Sequence, residues 1–465
     1  MRLPAELILL VAEKSHSQRD VNALARVNRR TFSLLIPWLY KHNVRRHNGT
    51  GICKAAELGC LAAVKRFLAA GFDVRNGLPL VAPDRVQEFV GSTPAGDIEH
   101  PLLHAVQRGH LHLVLYLLNE GTDPDVRATS SGMTPLLVAA RHGSLSIVKA
   151  LTEAGAEGSC CFEAHEPRLM ETIQRTPVRE AAFHGHLGVV KYLLSLSNKK
   201  DRHLLASKCL PEAAASGNTG LILFLVAQEG DINYRGWFWE TRHTMSSGTA
   251  LAFAIMHNHA ELVQVLIRHG ACVDEPVRTT AGRVTTLLEK AVDLGHHQVV
   301  KVLLNYDIRS LDLRMRNAVS RGHAAVVEVL LTRYQPRPSD PWSPLDDAAM
   351  CGHIDIVRLF TGKGFDEEQA LFTAVLYKRA NIVDFLLEHG TNPDVPNSIR
   401  SPLRLALHYG HAPIIKAFLL FGAHIHPDDQ RWFRCHSSKE IAALAEQFPI
   451  VPSYLVARQW SLCSP

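Results

Sequence analysis

Thr134–Gly155 reads TPLLVAARHGSLSIVKALTEAG, and this stretch decides the fold. Thr134 before Pro135 is typical of a helix N-cap followed by proline at the first helical position. Two alanines then allow a neighbouring helix to approach closely, and Gly143 provides a turn residue that tolerates positive φ. Apolar residues spaced three and four apart follow, and Gly155 stands at a helix C-cap position. The stretch predicts a helix, a turn and a second helix.

Eleven copies of this pattern follow one another along the chain. Pro stands four residues before the paired small residues in five of them, and the closing Gly recurs in seven, at Gly71, Gly121, Gly155, Gly270, Gly364, Gly390 and Gly422. Asn258 and Lys378 replace the turn Gly in two copies. The units ending at Gly322 and Lys378 are short, which predicts trimmed loops. Because one helix pair cannot bury its own apolar stripe, the units must stack. The copies span 55–68, 105–118, 139–152, 181–194, 213–226, 254–267, 291–304, 318–331, 348–361, 374–387 and 406–419.

This pattern resembles the ankyrin repeat, whose Thr-Pro-Leu-x-x-Ala-Ala-x-x-Gly-His signature matches Thr134, Pro135, Leu136, Ala139, Ala140 and Gly143. The resemblance covers about residues 50–425 and implies an all-α solenoid of about eleven helix-turn-helix units. It also implies a protein target on the concave face made by the loop tips and the first helices.

A histidine directly after the turn position recurs in seven copies. A metal site is one interpretation, but each ring belongs to a different repeat and begins the same helix. We therefore expect these rings to bond loop backbone, and we predict no metal and no cofactor. The residues are His110, His186, His259, His296, His323, His353 and His411.

Composition narrows the function further. Lys and Arg number 50 against 45 Asp and Glu, a balance that does not favour direct nucleic-acid binding. Nine scattered cysteines without C-x-x-C spacing predict reduced thiols and a cytoplasmic or nuclear protein. No apolar run is long enough for a membrane span. No nucleophile elbow, P-loop or H-E-x-x-H motif occurs, so we expect a monomeric protein that is not an enzyme.

Four stretches between repeats are longer than a repeat needs: 73–99, 157–175, 231–247 and 274–284. The third places aromatic residues beside an arginine, the residue types that dominate interface hot spots. They form either a partner-binding loop or a loop that its own aromatic residues pin to the stack. The candidates are Tyr234, Arg235, Trp237, Phe238 and Trp239, and Trp342 is a weaker one of the same kind.

Residues 1–45 do not follow the repeat. Leu3, Leu7, Leu10 and Val11 share one face of a predicted helix, and Glu6 together with the missing cleavage site argues against a secretory signal. Two more helices follow, the third expected to break or bend at Pro37. Three helices of this size cannot build an independent core, so they must lean on the repeats or on a partner.

The stretch LPAELILLVAEKSHSQRDVNALARVNRRTFSLLIPWLY (3–40) resembles an F-box, through L-P-x-E-L, D-V-x-x-L and V-N-R followed by an aromatic residue and a closing L-Y. The resemblance implies docking on the Skp adaptor of a cullin–RING ubiquitin ligase. The alternative is a cap for the first repeat. By resemblance the docking residues are Leu3, Pro4, Leu7, Leu10, Leu24 and Val27.

Residues 426–465 break the repeat pattern, and Ser437 with Glu440 forms a predicted capping box of a helix that seals the last repeat. The sequence therefore predicts an F-box-like module (1–45), an ankyrin array (50–425) and a C-terminal helical cap. The function it favours is a ubiquitin ligase substrate receptor. A transcriptional co-regulator and a cytoplasmic scaffold are the alternatives.

Overall fold

The computed structural model describes residues 5–15, 18–46, 49–75, 100–128, 132–157, 162–163, 174–239, 245–279, 282, 284–306, 310–334, 343–394 and 401–424. These residues form 25 helices and six short strands. They divide into two compact units, the first within 1–257, 265–272 and 278–282, the second within 258–264, 273–277 and 283–465.

The first unit begins with three helices that precede the repeats. Helix pairs follow in chain order, with the first helices of successive pairs packed side by side. The helices are α1 (Ala5–Lys14), α2 (Gln18–Ala25), α3 (Arg29–Arg46), α4 (Gly51–Glu57), α5 (Leu61–Ala69), α6 (Pro101–Gln107), α7 (Leu111–Asn119), α8 (Pro135–His142), α9 (Leu145–Glu153), α10 (Pro177–Phe183), α11 (Leu187–Leu196), α12 (Lys199–Ser216), α13 (Thr219–Ala227) and α14 (Ala250–Met256).

The second unit continues the same arrangement of first and second helices. Helix α15 (Ala260–Arg268) has residues in both units. The remaining helices are α16 (Leu287–Asp293), α17 (His297–Leu303), α18 (Leu311–Arg321), α19 (Ala324–Leu331), α20 (Pro344–Cys351), α21 (Ile354–Phe360), α22 (Glu367–Leu376), α23 (Ala380–Glu388), α24 (Pro402–His408) and α25 (Ala412–Leu420).

Short strands occupy several long loops, which the all-α expectation did not include. They are β1 (Phe162–Glu163), β2 (Gln174–Arg175), β3 (Gly236–Trp239), β4 (Met245–Gly248), β5 (Val277–Thr279) and β6 (Val284–Thr285). β3 pairs antiparallel with β4, with Trp237 opposite Ser247, and Ser247 in turn stands opposite Arg278 of β5. Strands of two to four residues are too short to leave a pattern of alternating polarity in the sequence.

The turn between the helices of each pair is left-handed in all eleven copies. The residue at that position has φ between +61° and +89°, and Asn258 (+61°) and Lys378 (+63°) adopt this conformation without being glycine. The seven closing glycines also have positive φ, from +80° to +96°. The predicted turns are therefore confirmed, as are six of the seven C-caps, whereas Gly364 lies four residues beyond the end of α21 at Phe360.

The predicted N-caps before the helices that start at a proline are present in three cases. Thr134, Ser343 and Ser401 each accept a hydrogen bond from a backbone N–H in the first turn of the helix that starts at the following proline. Thr176 precedes Pro177 in extended backbone without such a bond. The paired small residues lie inside the stack, as Ala139 and Ala140 show by being fully buried.

Two repeats depart from the regular unit. Only residues 361–366 separate α21 from α22, which confirms a trimmed loop. Ser197 and Asn198 alone separate α11 from α12, because α12 extends over 18 residues and takes the place of a loop.

Candidate protein-docking surfaces

Helix α1 turns one apolar side inward and another outward. Ile8 and Ala12 are buried in a small core with Val21, Ala25, Leu35 and Leu39. Leu7, Leu10 and Val11 lie on the opposite side and remain 45–56% exposed. Large apolar side chains that stay open to solvent together mark a protein-docking surface more often than an isolated exposed leucine does. We call Leu7, Leu10 and Val11 the α1 face.

The other residues implied by the F-box resemblance do not all join this face. Val27, at the end of α2, is strongly exposed, whereas Leu24 packs partly against the module core. Leu3 and Pro4 lie outside the described residues. The structure thus leaves Leu7, Leu10 and Val27 open to a partner and gives Leu24 a share in holding the three helices together.

Helix α3 joins these helices to the first repeat. The Tyr40 ring meets the Phe67 ring of α5 edge to face, with centroids 4.5 Å apart. Asn43 accepts hydrogen bonds from Gly51 N through its side-chain Oδ1 (3.2 Å) and from Gly49 N through its backbone carbonyl (3.1 Å). A Cβ at Gly51 would stand 2.6 Å from the Phe67 ring, so the chain passes too closely for any larger residue. The cap of the first repeat is therefore α3, and the α1 face is not used for it.

Helix α3 does not break at Pro37. It runs as one helix from Arg29 to Arg46 with Pro37 inside it, so the break, one of the two expected outcomes, does not occur. Thr31 and Asn28 fix its start, because Asn28 Oδ1 accepts from Thr31 N (2.9 Å) and Thr31 Oγ1 accepts from Asn28 N (3.2 Å). Leu35 and Leu39 bury their side chains on either side of the proline, and this packing holds the helix together across it.

The loop that carries the aromatic candidates packs against the repeats and still exposes one of its aromatic side chains. Arg235 Nη2 donates to the Ser247 carbonyl (3.3 Å), and Gly236 passes so close to Pro211 that a Cβ there would lie 2.9 Å from the proline ring. Trp237 nevertheless remains 41% exposed. The structure describes Phe238 and Trp239 only as β3 backbone, and Trp342 lies outside the described residues. The binding and pinning interpretations are therefore compatible, with Arg235 anchoring the hairpin and Trp237 facing solvent.

The histidines after the turn hold neighbouring repeats together. The Nε2 atoms of His110, His186 and His323 donate to the backbone carbonyls of Glu57, Arg141 and Asp293, at 3.0, 2.9 and 3.1 Å. Where histidine is absent, Asn218 Nδ2 donates to Gly185 O (2.8 Å) and Arg379 Nε to Met350 O (3.1 Å). Each bond joins one repeat to the one before it, as the backbone-bonding interpretation predicts. His411 is an exception, because its buried Nε2 has no hydrogen-bond partner.

Loop tips are joined in the same way. Asn233 Oδ1 accepts from Cys272 N at 2.9 Å, and Asp125 accepts from Glu157 N at 3.1 Å. Asp394 accepts from His424 N at 2.8 Å. Each acceptor lies just after the second helix of its repeat, and the donor follows the second helix of the next one. The loop edge of the stack is thus held by side chain to backbone bonds.

Some ionisable side chains are buried within the stack of helices, where they contribute to packing. Arg179 of α10 pairs with Glu212 of α12, and both side chains are largely buried. Burial raises the pKa of the neighbouring Cys209 thiol, which disfavours a reactive thiolate. Among the described residues no group of three or more His, Cys, Asp or Glu could hold a metal ion. The described cysteines at 60, 209, 272 and 351 are free thiols.

Two polar sites carry no clear signal in the sequence. His100 caps α6, because its Nδ1 accepts from Leu102 N (3.1 Å) while its Nε2 donates to Val74 O (3.2 Å). Burial lowers the pKa of His100. Burial, together with Asp366 and Asp347, raises the pKa of Asp346 to about 7. Histidine is an unusual N-cap and Asp346 resembles an ordinary first-turn acid, so neither stands out before the structure is known.

None of the helices in the described ranges is long and apolar enough to cross a membrane. Stacked helix pairs with left-handed turns, joined by side chain to backbone bonds, define a repeat protein built to present loops and helix ends to other proteins. The family model described as Ankyrin repeats matches three times, at residues 52–161, 102–203 and 210–314. The chain belongs to the ankyrin-repeat family. This match does not reach residues 1–51, so the F-box resemblance remains a prediction.

The chain is also similar to several curated proteins. It is 30% identical over 169 residues to an ankyrin repeat and KH domain-containing protein of Caenorhabditis briggsae, covering 36% of this chain and 6% of that one. It is 27% identical over 239 residues to the probable E3 ubiquitin-protein ligase XBOS33 of Oryza sativa subsp. japonica, covering 49% and 43%. The third is the ankyrin repeat domain-containing protein SAT10 of Stachybotrys chartarum, 27% identical over 262 residues, covering 55% and 12%.

In each case the chain spans less than half of the relative's length. Among solved structures, the human ASB11 ankyrin repeat domain aligns with a TM-score of 0.37 and 22% identity, covering 62% of this chain and 98% of that one.

Proposed function

We propose that the chain is a non-catalytic substrate receptor, which tethers a target protein to a Skp/cullin-type ubiquitin ligase. The observation that carries this proposal is the α1 face. Leu7, Leu10 and Val11 stay open although the three-helix module already buries Ile8 and Ala12, and although α3 already covers the first repeat. An apolar helix side with no role in the chain's own packing suits an adaptor.

The ankyrin repeats would hold the target, with the Trp237 hairpin as one contact. The chain itself would perform no chemistry. Holding both proteins raises the effective concentration of the target at the ligase, to the millimolar range for a short connection. Because Tyr40 and Asn43 fix α3 on the first repeat, the module and that repeat form one connected structure. The proposed location is the cytoplasm or the nucleus.

Two relatives support this direction by name. XBOS33 is a probable E3 ubiquitin-protein ligase, and a putative E3 ubiquitin-protein ligase of Arabidopsis thaliana, XBAT31, is 34% identical over 97 residues. Part of this chain is therefore similar to proteins whose names assign them to ubiquitin ligation. These matches cover 49% and 21% of this chain, so the direct link to an adaptor rests on the N-terminal resemblance and on the α1 face.

The test is a binding measurement between the full chain and a purified Skp-type adaptor. We expect Leu7→Asp combined with Leu10→Asp to weaken binding by about tenfold or more, which corresponds to roughly 1.4 kcal/mol. Both residues point into solvent, so the variant should keep the helical content of the wild type.

Leu223→Asp is the matched control, because Leu223 on α13 has a similar exposure (42%) and lies within the repeats. It should bind the adaptor like the wild type. Failure of the wild-type chain to bind the adaptor, or equal binding by the double variant, would contradict the proposal. Partners that the double variant retains, such as a transcription factor or a signalling protein, would favour the co-regulator or scaffold function.

A further inference from the structure

The turn ends of the last two described repeats expose an apolar and aromatic surface. Leu376 (39% exposed), Tyr377 (46%) and Tyr409 (43%) lie where α22 and α24 end. The Lys378 ammonium stands 5.9 Å from the centre of the Tyr409 ring, which places the ends of the two helices side by side. We call Leu376, Tyr377, Lys378 and Tyr409 the tyrosine patch.

The tyrosine patch replaces an ion pair found at equivalent positions of other repeats. Two residues before the turn, Asp293 pairs with Arg321 of the next repeat (3.2 Å), and Glu57 pairs with Arg108 in the same way. Leu376 occupies the position of Asp293, and Tyr409 occupies that of Arg321. With a leucine and a tyrosine at these two positions instead of an ion pair, apolar surface remains in contact with water.

The charge of this surface has one sign. Residues 376–380 and 404–413 contain Lys378, Arg379, Arg404 and two histidines, but no Asp or Glu. Lys378 also accepts φ of +63°, at a position where nine of the eleven repeats have glycine. A glycine there would be unstrained, so the lysine contributes a charge at the expense of backbone stability.

We propose that the tyrosine patch binds an acidic peptide segment that carries apolar side chains. Tyrosine and arginine dominate interface hot spots because they bury a large area at low entropic cost. An acidic segment would pair with Lys378 while its apolar side chains cover Leu376 and the two tyrosines. This inference deepens the proposed function, because the segment would belong to the target protein.

The probe is a random library of twelve-residue peptides on phage, selected against the full-length chain. We expect the selected peptides to carry net negative charge and at least one aliphatic or aromatic side chain. Measured by fluorescence anisotropy, Lys378→Gly and Tyr409→Ser should each weaken a selected peptide by about fivefold or more. Lys378→Gly relieves the turn, so its loss of binding would not come from unfolding.

Tyr306→Ser is the control, because Tyr306 is an exposed tyrosine that follows α17 in the same unit. It should change the affinity by less than about twofold. Neutral or basic selected peptides, or unchanged affinity in both patch variants, would overturn the proposal. So would displacement of the peptide by single-stranded DNA.

A photo-crosslinking amino acid in place of Tyr377 tests whether the C-terminal residues of the same chain, or a second copy of it, cover the tyrosine patch instead of a peptide. Crosslinks from position 377 to residues 425–465 of the same molecule, or to the patch of a second copy, would also overturn the proposal. Neither experiment includes a ligase adaptor, so failure here leaves adaptor docking on the α1 face untouched.

Discussion

At the scale of single residues, His100 makes the start of α6 sensitive to pH. Its Nδ1 accepts a hydrogen bond, so this atom must stay unprotonated, and burial lowers the pKa of the ring below its ordinary value of 6.5. The unfolded chain therefore takes up a proton first as the pH falls. Stability from His100 is complete above pH 6.5 and decreases as the pH falls toward the lowered pKa. We expect His100→Thr to keep the cap and remove this dependence.

Hydrogen exchange of α6 amides at pH 7.5 and 5.5 measures the effect. The wild type should lose protection at the lower pH relative to His100→Thr, and His100→Ala should lose about 1 kcal/mol even at pH 7.5. Equal pH dependence in the wild type and the threonine variant would show that the ring does not titrate as described.

The contribution of Asp346 to stability changes with pH in the opposite direction to that of His100. Its pKa of about 7 is raised above the ordinary 3.8, chiefly by burial and then by Asp366 and Asp347. The folded state therefore favours the protonated carboxyl, and stability decreases as the pH rises from about 4 through 7. We expect Asp346→Asn to raise the free energy of unfolding at pH 8 by on the order of 1 kcal/mol, since solvent screens a partly exposed group.

The gain from Asp346→Asn should shrink as the pH falls below 7. Chemical denaturation of the full chain at pH 8 and pH 5.5 measures it, with Asp355→Asn as the control because Asp355 is strongly exposed on α21. A gain that is equal at the two pH values would contradict the assignment.

At the scale of elements, one side chain directly after the turn bonds a repeat to the one before it. His186→Ala would leave the Arg141 carbonyl without its 2.9 Å hydrogen bond, at a cost of about 1 kcal/mol. His186→Asn should cost less, because an asparagine there can bond the carbonyl of the turn residue Gly143, as Asn218 bonds that of Gly185 in the next repeat. Hydrogen exchange of α8 and α10 compares the variants. Equal protection in the alanine variant and the wild type would mean that the bond adds nothing to stability.

How far the elements follow from the sequence depends on the residue in question. The repeat pattern predicts the left-handed turn correctly in every copy, including the two in which Asn258 and Lys378 replace the glycine. The buried side of α1 could not be predicted, because Leu7 to Val11 is a continuous apolar run and fits more than one helical face. Tertiary packing chose Ile8 and Ala12. The expected break at Pro37 is absent for a similar reason, since packing of Leu35 and Leu39 outweighs one lost hydrogen bond.

At the scale of the whole chain, the N-terminal module is predicted to stabilise the repeats as well as to bind an adaptor. Deleting residues 1–45 would remove Tyr40 and Asn43, expose the Phe67 ring and leave Gly51 N without its side-chain partner. In a stack whose stability comes from nearest neighbours, this loss falls on the first repeat.

The deletion should therefore increase hydrogen exchange across α4 and α5, whereas Leu7→Asp with Leu10→Asp should leave both helices protected. Because the two changes separate the cap from the α1 face, a partner lost only on deletion depends on the first repeat or on another exposed residue of the module, such as Val27. A partner lost in both cases depends on the α1 face, and equal protection of α4 and α5 in the deleted and intact chains would show that α3 is no cap.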